Sequence, residues 1–209
     1  MNWLDHVAQG ALSTRQTLET TYAIAMRACL NNVPGEFVEC GVFKGSQCAA
    51  MAQAIMKTGI QFGPDGRPVR RVHLFDSFEG VPAPGEHDPE WKEAGHPVGI
   101  SSASIDEVRQ NMAGWKIDDR LLAYHPGWFV RTIPSFARSK TPIAILRLDS
   151  DLYESTRICI EQLYPLVSPG GWIIVDDFAL SGCRKAVDDF MKGQGGYPPV
   201  YFQKHGLVT

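Results

Sequence analysis

The sequence predicts an α/β fold with a doubly wound, mostly parallel sheet and helices on both of its faces. Strand-like and helix-like segments alternate along the chain, and this order is typical of such sheets. The 209 residues are 44% apolar and 21% charged, a composition that lets one domain bury a sizeable core without disulfide bonds. We therefore expect a single domain over residues 1–209, in which a helical segment over 1–32 precedes the sheet.

The composition also excludes several classes of partner. A net charge of −3, without any block of like charges, leaves no basic surface for a phosphate backbone, so nucleic acid is not an expected partner. No apolar run approaches the ~20 residues of a membrane helix, and the first residues lack the pattern of a secretory signal. We expect a cytoplasmic protein without membrane contact, whose five cysteines are reduced core residues.

The first part of the chain contains two strand-like segments, each with a helix beside it in sequence. A helix is predicted from Thr20 to Asn31, where apolar residues recur at helical spacing. Glu36–Cys40 has the pattern of a strand, and Ser46 can cap the next helix, which extends to about Lys57. Val69–Phe75 is the second predicted strand, and Asp76 stands at its end.

Residues 80–102 differ in character from the rest of the chain. They contain four prolines and four glycines together with several acidic residues and Trp91. Long irregular segments in compact domains often close over a functional site, because the rigid scaffold around them leaves them free to move. We predict a lid at 80–102.

The second half continues the alternation. Ser104 opens a helix, and a shorter helical segment is expected over Phe129–Phe136, interrupted by Pro134. The later helices are predicted at Glu154–Val167 and Gly182–Met191. The predicted strands are Arg120–His125, Ile143–Leu148, Trp172–Val175 and an edge strand in Tyr197–Tyr201.

A glycine-containing turn follows the first predicted strand. Gly41 ends the strand, and Gly45 stands four residues later where a helix begins. Such a turn lets a ligand approach the backbone closely, and the N–H groups of a helix end favour a carboxylate or phosphate. The alternative is a tight strand-to-helix turn with no ligand. Because the motif is not GxGxxG, a dinucleotide is disfavoured.

Acidic residues stand at the ends of three other strands. Asp76 can accept the ribose hydroxyls of a nucleoside cofactor, or it is a solvated carboxylate. Asp149 precedes the pair Asp176 and Asp177 by 27 and 28 residues, enough for one helical crossover between adjacent parallel strands. Three carboxylates that close repel one another unless a cation or protons intervene, and oxygen ligands favour Mg²⁺, Mn²⁺ or Ca²⁺ over zinc. The alternative is that Asp151 or Asp176 caps a helix.

The histidines offer one candidate proton acceptor near these acids. His125 ends the third predicted strand, close to Gly127, and is a candidate general base. His87 and His96 lie in the predicted lid, while His73 has the pattern of a core strand residue. A lone histidine is more often structural or solvated than catalytic.

Several motifs occur in a single order: Phe37-Val-Glu-Cys-Gly-Val-Phe-Lys-Gly, Leu74-Phe-Asp-Ser-Phe-Glu-Gly-Val-Pro, Gly127-Trp-Phe, Leu146-Arg-Leu-Asp-Ser-Asp-Leu-Tyr-Glu-Ser-Thr, Ser168-Pro-Gly-Gly, Asp176-Asp-Phe and Gly182-Cys-Arg-Lys-Ala-Val-Asp-Asp-Phe. Together they resemble the macrocin O-methyltransferase family, over roughly Val33 to Phe190. The resemblance implies a Rossmann-like, seven-stranded class I methyltransferase domain. It also implies Mg²⁺-dependent transfer of a methyl group from S-adenosylmethionine to sugar hydroxyls of glycosylated natural products.

The resemblance further implies a role for individual residues. Glu39 and Gly41 would line the methionine end of the cofactor, Asp76 would hold its ribose, and Ser77 with Phe78 would border the adenine. The full predicted cofactor set is Glu39, Gly41, Val42, Gly45, Ser46, Asp76, Ser77, Phe78, Gly127, Trp128 and Asp149. The predicted ligands of Mg²⁺ (or Mn²⁺) are Asp149, Asp176 and Asp177.

The expected reaction needs an aligned acceptor oxygen and a group that removes its proton. Asp149 is the first candidate for that base, and His125 is the second. The expected partner is a small molecule with vicinal hydroxyls, and a sugar is favoured over a catechol-type phenol because the lid offers only Trp91 as an aromatic ring. A nucleotide-binding domain without methyl transfer is the non-enzyme alternative. A homodimer is compatible with the sequence, which does not determine the oligomeric state.

Overall fold

The computed structural model describes residues 3–9, 11–12, 14–59 and 62–194, together with the backbone of 201–204. Within these ranges the chain forms one six-stranded sheet in the order β3-β2-β1-β4-β5-β6, in which every neighbouring pair is parallel. The strands are β1 (Glu36–Cys40), β2 (Val72–Asp76), β3 (Leu122–Pro126), β4 (Ile143–Leu148), β5 (Val167–Val175) and β6 (Tyr201–Lys204).

Helices cover both faces of this sheet. Their bounds are α1 (Trp3–Ala8), α2 (Arg15–Leu30), α3 (Ser46–Lys57), α4 (Pro89–Ala94), α5 (Ile105–Gly114), α6 (Phe129–Arg138), α7 (Tyr153–Leu163) and α8 (Ser181–Gly193). Helices α1, α2, α3 and α5 pack on one face, and α6, α7 and α8 pack on the other. Helix α4 lies within the lid. No helix in the described ranges is both long and apolar enough to cross a lipid bilayer.

The two apolar layers meet at the central strand β4, which is buried along its whole length. Ile145 contributes to the core under α2 and α3, whereas Leu146 and Leu148 contribute to the core under α7 and α8. Side chains of a strand point alternately to the two faces of the sheet. Because helices cover both faces here, successive residues of β4 are apolar. Arg147 is the one charged residue in this run, and it is completely buried.

The order of the strands places a switch point beside β1. From β1 the chain runs through β2 to β3 on one side, and then through β4 to β5 on the other. Backbone ladders continue one residue past the strands, since the N–H of Gly41 donates to Phe75 O, that of Asp149 to Cys40 O and that of Asp176 to Leu148 O. The residues that follow β1, β4 and β5 therefore lie side by side, where ligands of such sheets bind.

The predicted fold class is confirmed, with local differences. The bounds of the strands over 36–40 and 143–148 agree with the prediction. The expectation of seven strands is wrong for the described residues, which form six. The predicted edge strand falls partly on 197–200, outside the described residues, and the observed β6 begins at Tyr201. Pro134 does not interrupt α6, because it removes only the bond to the carbonyl of Val130, which lies on the exposed side.

The helix starts were predicted with mixed success. Ser104 caps α5 as expected, since its Oγ accepts the N–H of Glu107 at 3.1 Å. Ser46 does not cap α3, so that prediction is wrong. The cap position is held by Gly45 at φ 91°, and Ser46 is already helical. A left-handed residue at this point suits glycine, so the second glycine of the motif shapes the turn.

Gly41 is required where β1 approaches the end of β4. Its φ is +92°, and a Cβ at this position would lie 1.5 Å from the carbonyl oxygen of Asp149. Gly59, in contrast, has φ +82° with no atom within 4 Å of the corresponding position. The two glycines therefore separate the effect of backbone conformation from the effect of close packing.

We expect Gly41→Ala to lower the free energy of unfolding by about 2–5 kcal/mol, the sum of left-handed strain and overpacking. Gly59→Ala should lose only the conformational part, about 1–2 kcal/mol. Urea unfolding followed by circular dichroism measures both losses. Equal losses in the two variants would contradict the close approach of Gly41 to Asp149.

Candidate active site

A cavity of about 290 Å³ opens at the switch point, near the lower end of the range for small-molecule sites. Its wall combines the turns after β1, β2, β4 and β5 with both ends of the lid. The residues that line it are Leu12, Glu39, Gly41, Val42, Phe43, Ser46, Gln47, Asp76, Ser77, Gly80, Val81, Pro82, Ser101, Trp128, Phe129, Asp149, Ser150, Asp151, Ser155, Asp176 and Asp177.

Asp76 ties the end of β2 to the glycine turn after β1. Its Oδ2 accepts the N–H groups of Val42 at 2.6 Å and Phe43 at 3.2 Å, and its Oδ1 accepts the N–H of Phe78 at 2.7 Å. The carboxylate thus faces the cavity in an orientation fixed by three backbone donors. Asp76 therefore also organises the glycine turn, a role that was not predicted from its sequence pattern.

Glu39 is a buried carboxylate at the floor of the cavity, with only 1% of its surface exposed. Its Oε1 accepts a hydrogen bond from Arg147 at 2.6 Å, and the thiol of Cys48 on α3 donates to its Oε2. Burial raises the pKa of Glu39 to about 7, and the nearby Arg147 opposes that rise. Burial also raises the pKa of Cys48, which keeps the thiol protonated as a donor.

Arg147 lies behind the cavity and joins carboxylates from three strands. It is completely buried, and its Nη1 lies 2.6 Å from both Glu39 Oε1 and Asp149 Oδ2. Its Nη2 is 2.8 Å from Asp176 Oδ1, an ion-pair distance whose direction does not meet hydrogen-bond geometry. Burial lowers the pKa of Arg147, but the three carboxylates outweigh it and hold that pKa well above its usual value.

Asp149, Asp176 and Asp177 form a group of the kind that binds a metal ion. Each offers an oxygen, and these oxygens lie within 4.8 Å of one another. Oδ1 of Asp176 is buried without a hydrogen bond from any described residue. Burial raises the pKa of Asp149 and raises that of Asp177 strongly, with neighbouring carboxylates adding to the effect at Asp177. Oδ1 of Asp176 is ion-paired with Arg147 Nη2 at 2.8 Å but is not hydrogen-bonded, and three carboxylates gathered this closely fit a hard divalent cation.

Asp151 lines the same cavity, and the interpretation of this residue as a helix cap is wrong. Leu152 occupies the cap position of α7 and makes no side-chain capping bond. Asp151 adopts φ 57°, and its N–H donates to Asp177 Oδ2 at 2.9 Å. Burial raises the pKa of its carboxyl to about 7, and Asp149 adds to the rise. Asp176 likewise does not cap α8, whose cap position is Leu180.

Most predicted site residues meet at the cavity. Those that line it are Glu39, Gly41, Val42, Ser46, Asp76, Ser77, Trp128, Asp149, Asp176 and Asp177. Gly45, Phe78 and Gly127 do not line it. Gly45 forms the turn before α3, Phe78 holds Asp76 through its N–H, and Gly127 donates its N–H to Asp76 O. These three support the site through the backbone.

His125 lies away from the cavity, on the face of the sheet that packs against α6. Its ring stacks on Phe75 with centroids 4.0 Å apart, and its Nε2 is 2.9 Å from Nδ1 of His73. Burial lowers the pKa of His125 to about 4. The structure therefore does not bring this predicted base together with the aspartates.

Arg147 is a member of the site that was not predicted from the sequence. An arginine inside the otherwise apolar strand Ile143–Leu148 was the available signal, because an isolated buried charge must be paired. Its partners could not be identified from the sequence, since they depend on the register of Glu39 with Arg147 across β1 and β4. Gln47, Ser150 and Ser155 also line the cavity without having been predicted.

Comparison with known proteins gives a family match and several relatives. The family model described as macrocin O-methyltransferase (TylF) matches residues 7–201. The demethyldecarbamoylnovobiocin O-methyltransferase of Streptomyces niveus is 41% identical over 164 residues, which are 77% of this chain and 59% of that protein. The 8-demethyl-8-(2,3-dimethoxy-alpha-L-rhamnosyl)-tetracenomycin-C 4'-O-methyltransferase of Streptomyces olivaceus is 36% identical over 174 residues, 81% of this chain and 63% of that protein. The chain thus spans less than two thirds of either relative.

Solved structures show the same fold. The O-methyltransferase NovP superposes with a TM-score of 0.74 and 32% identity, covering 88% of this chain and 74% of its own. The calicheamicin methyltransferase CalS11 superposes with a TM-score of 0.69 at 21% identity, covering 89% of this chain and 73% of its own. At that lower identity the likeness supports the fold alone.

Replacing Arg147 tests whether the buried carboxylates depend on its charge. Arg147→Met should lower the free energy of unfolding by about 3–5 kcal/mol, because it leaves buried carboxylates without a partner. Arg157, which pairs with Glu154 and Glu161 on the exposed side of α7, is the matched control. Arg157→Met should lose about 1 kcal/mol or less.

Urea unfolding of both variants and of Arg147→Lys measures these differences. The lysine retains the charge without the planar fork and should recover part of the loss. Equal stability of Arg147→Met and Arg157→Met would show that the cluster does not depend on the buried guanidinium.

Proposed function

Because the chain belongs to the macrocin O-methyltransferase family, we propose that it is an S-adenosylmethionine-dependent O-methyltransferase. The proposed acceptor is a sugar hydroxyl of a glycosylated natural product, and the proposed reaction is assisted by a divalent metal ion. One observation carries the proposal: a single cavity contains both the predicted cofactor residues, including Glu39 and Asp76, and the group of three carboxylates.

The cofactor half of the cavity has fixed acidic groups. S-adenosylmethionine, when bound, supplies a methyl group on a positively charged sulfur. Asp76, held by three backbone donors, presents a carboxylate suited to ribose hydroxyls. Glu39 and Gly41 line the neighbouring wall, and Trp128 provides an apolar surface. These residues would orient the methyl group toward the aspartates.

The metal half consists of Asp149, Asp176 and Asp177. These residues would hold Mg²⁺ or Mn²⁺, since carboxylate oxygens are the ligands that hard cations prefer. A divalent cation in such a site lowers the pKa of a coordinated hydroxyl and fixes its orientation. The approach of the three oxygens to within 4.8 Å of one another supports this assignment.

The acceptor hydroxyl must transfer its proton to a carboxylate in the cavity. Asp149 is the predicted base. However, its Oδ2 already accepts a hydrogen bond from Arg147, and Asp149 belongs to the proposed ligand set. Asp151 also lines the cavity and is not a member of that set. The backbone N–H of Asp151 donates to Asp177, whereas the carboxylate of Asp151 makes no hydrogen bond with the described residues. We therefore add Asp151 as a candidate proton acceptor, ahead of His125.

A sugar acceptor is favoured over a catechol by the residues of the lid. Those that line the cavity are Gly80, Val81, Pro82 and Ser101, and none of them is aromatic. Trp91, the aromatic residue of α4, does not line it and instead contacts His96 with centroids 5.2 Å apart. Aromatic contacts on the lid side, which would select a flat phenol, are therefore absent among the described residues.

The proposed function predicts methylation of glycosides in the presence of Mg²⁺. Asp177→Asn should lower the metal-dependent turnover at least 100-fold, because loss of a ligand removes several kcal/mol of charge stabilisation. Its affinity for S-adenosylhomocysteine should change less than about threefold, since Asp177 lies in the metal half. A methylation screen of glycosides and catechols, with Mg²⁺ or with EDTA, measures turnover, and calorimetry measures cofactor affinity.

Two controls separate the parts of this proposal. Asp188→Asn changes an exposed carboxylate on α8 and should leave turnover unchanged. Asp76→Ala should instead weaken binding of S-adenosylhomocysteine. Full turnover in EDTA would refute the metal site, and no binding at millimolar cofactor would refute the methyltransferase assignment.

Replacement of His125 distinguishes the candidate bases. His125→Gln should retain turnover within about threefold, whereas loss of a general base lowers the rate about 10²- to 10⁴-fold. Asp151→Asn should show the larger effect. A loss of 100-fold or more in His125→Gln alone would restore the histidine as the base.

The same variant should also change the pH dependence of stability. The pKa of His125 falls to about 4 in the folded chain, from an ordinary value of 6.5. Between pH 6.5 and about 4, His125 is therefore protonated in the unfolded chain and neutral in the folded chain. Protonation favours the unfolded state, so the free energy of unfolding decreases as the pH falls through this interval. Urea midpoints of His125→Gln should fall less steeply over that interval than those of the unsubstituted chain.

A further inference from the structure

The lid is attached to the two helices that follow the turns carrying the proposed metal ligands. Asp88, immediately before α4, is 2% exposed, and its Oδ1 accepts the N–H of Tyr153 at 2.8 Å. Glu90, inside α4, accepts through Oε1 the N–H of Ser181 at 3.1 Å and also its hydroxyl. Tyr153 and Ser181 are the first residues of α7 and α8.

Both helices lack a side-chain cap of their own. Leu152 and Leu180 occupy their cap positions, and neither makes a capping bond. The first N–H groups of a helix need acceptors, and carboxylates are also favoured there by the helix dipole. The lid supplies these acceptors from 65 residues away for α7 and 91 residues away for α8.

A glycine makes room for one of these contacts. A Cβ on Gly182 in α8 would lie 2.0 Å from Oδ1 of Asp88 and 3.0 Å from the carbonyl oxygen of His87. The ring of His87 also packs edge-on against that of Tyr153, with centroids 4.4 Å apart. The contact surface between the lid and the two helices is therefore closely packed as well as hydrogen-bonded.

The same helices begin directly after the aspartates of the site. Tyr153 follows Asp149 by four residues, and Ser181 follows Asp177 by four. The two turns are joined to each other by the bond from the N–H of Asp151 to Asp177 Oδ2. A carboxylate that fixes the start of α7 or α8 therefore restrains the turn that carries the proposed ligands.

We propose that Asp88 and Glu90 are positioning residues, through which the seated lid caps α7 and α8 and so fixes the two aspartate turns. The seated lid also forms one wall of the cavity through Gly80, Val81 and Ser101. Its two stems are paired by bonds of 2.9 Å between Val81 and residues 99 and 100. When the lid closes, the turns that carry the proposed ligands then become ordered at the same time. The link to metal binding rests on the proposed function, whereas the capping itself does not.

Hydrogen exchange of the metal-free full chain, followed by mass spectrometry, tests the capping. Asp88→Ala should speed exchange about tenfold in peptides that cover the lid and the starts of α7 and α8, the effect of losing one helix cap. Glu90→Gln should act in the same direction at α8. Glu93→Gln changes another carboxylate of α4, one with no hydrogen bond among the described residues, and should exchange as the unsubstituted chain does.

Gly182→Ala tests the same contact from the other side. Its methyl group should displace Asp88 and reproduce the faster exchange of the lid. When Asp88→Ala is already present, adding Gly182→Ala should change lid exchange clearly less than it does alone, because the clash with Asp88 is gone and only the approach to the carbonyl oxygen of His87 remains. An equal effect of Gly182→Ala in both backgrounds, or normal lid exchange in Asp88→Ala, would overturn the proposal.

Calorimetry with Mg²⁺ alone then tests the positioning role. Asp88→Ala should weaken Mg²⁺ binding about three- to tenfold and leave S-adenosylhomocysteine affinity within twofold, a split that general destabilisation would not produce. Faster lid exchange with unchanged Mg²⁺ affinity would overturn the positioning role. Absence of Mg²⁺ binding in the unsubstituted chain would refute the metal part of the proposed function, and the exchange data would still decide the capping.

Discussion

The candidate site depends on one buried cation. Glu39, Asp149 and Asp176 come from three neighbouring strands, and without Arg147 their charges would be desolvated and mutually repulsive. The planar guanidinium reaches all three because β1, β4 and β5 are adjacent and in register. The positive charge that offsets these carboxylates is thus part of the chain itself, and it joins them into one cluster.

The balance of charge then limits what the cavity can bind. Six carboxylates line it, and the described lining residues include no lysine, arginine or histidine. Arg147, behind the wall, offsets only part of this excess. A cationic ligand relieves the repulsion, whereas a pyrophosphate increases it. The same cavity therefore suits a sulfonium and a divalent metal ion, and the alternative of a nucleotide-binding domain loses support.

Features that depend on local pattern were predictable from the sequence. The apolar run over Ile143–Leu148 predicted the bounds of β4, and residues at strand ends predicted most of the cavity wall because parallel strands end together. Features that depend on distant partners were not predictable. Asp151 looked like a cap because it precedes a helix, but the cap comes from Asp88 in the lid. The charged Arg147 stands out within an apolar strand, whereas its three partners could be identified only once the strand order was known.

The two distant contributions act on the same turns from opposite sides. Arg147 holds Asp149 and Asp176 from within the sheet, and the lid acids hold the helices that follow them from outside. A turn anchored only at its strand end could still rotate its carboxylates, since the following helix would fray at its uncapped start. In the proposed arrangement the turn is anchored at both ends, and its carboxylates have a defined geometry, only when the lid is seated. This arrangement links access to the cavity with the order of its acidic groups, through the hydrogen bonds between the lid and the starts of α7 and α8.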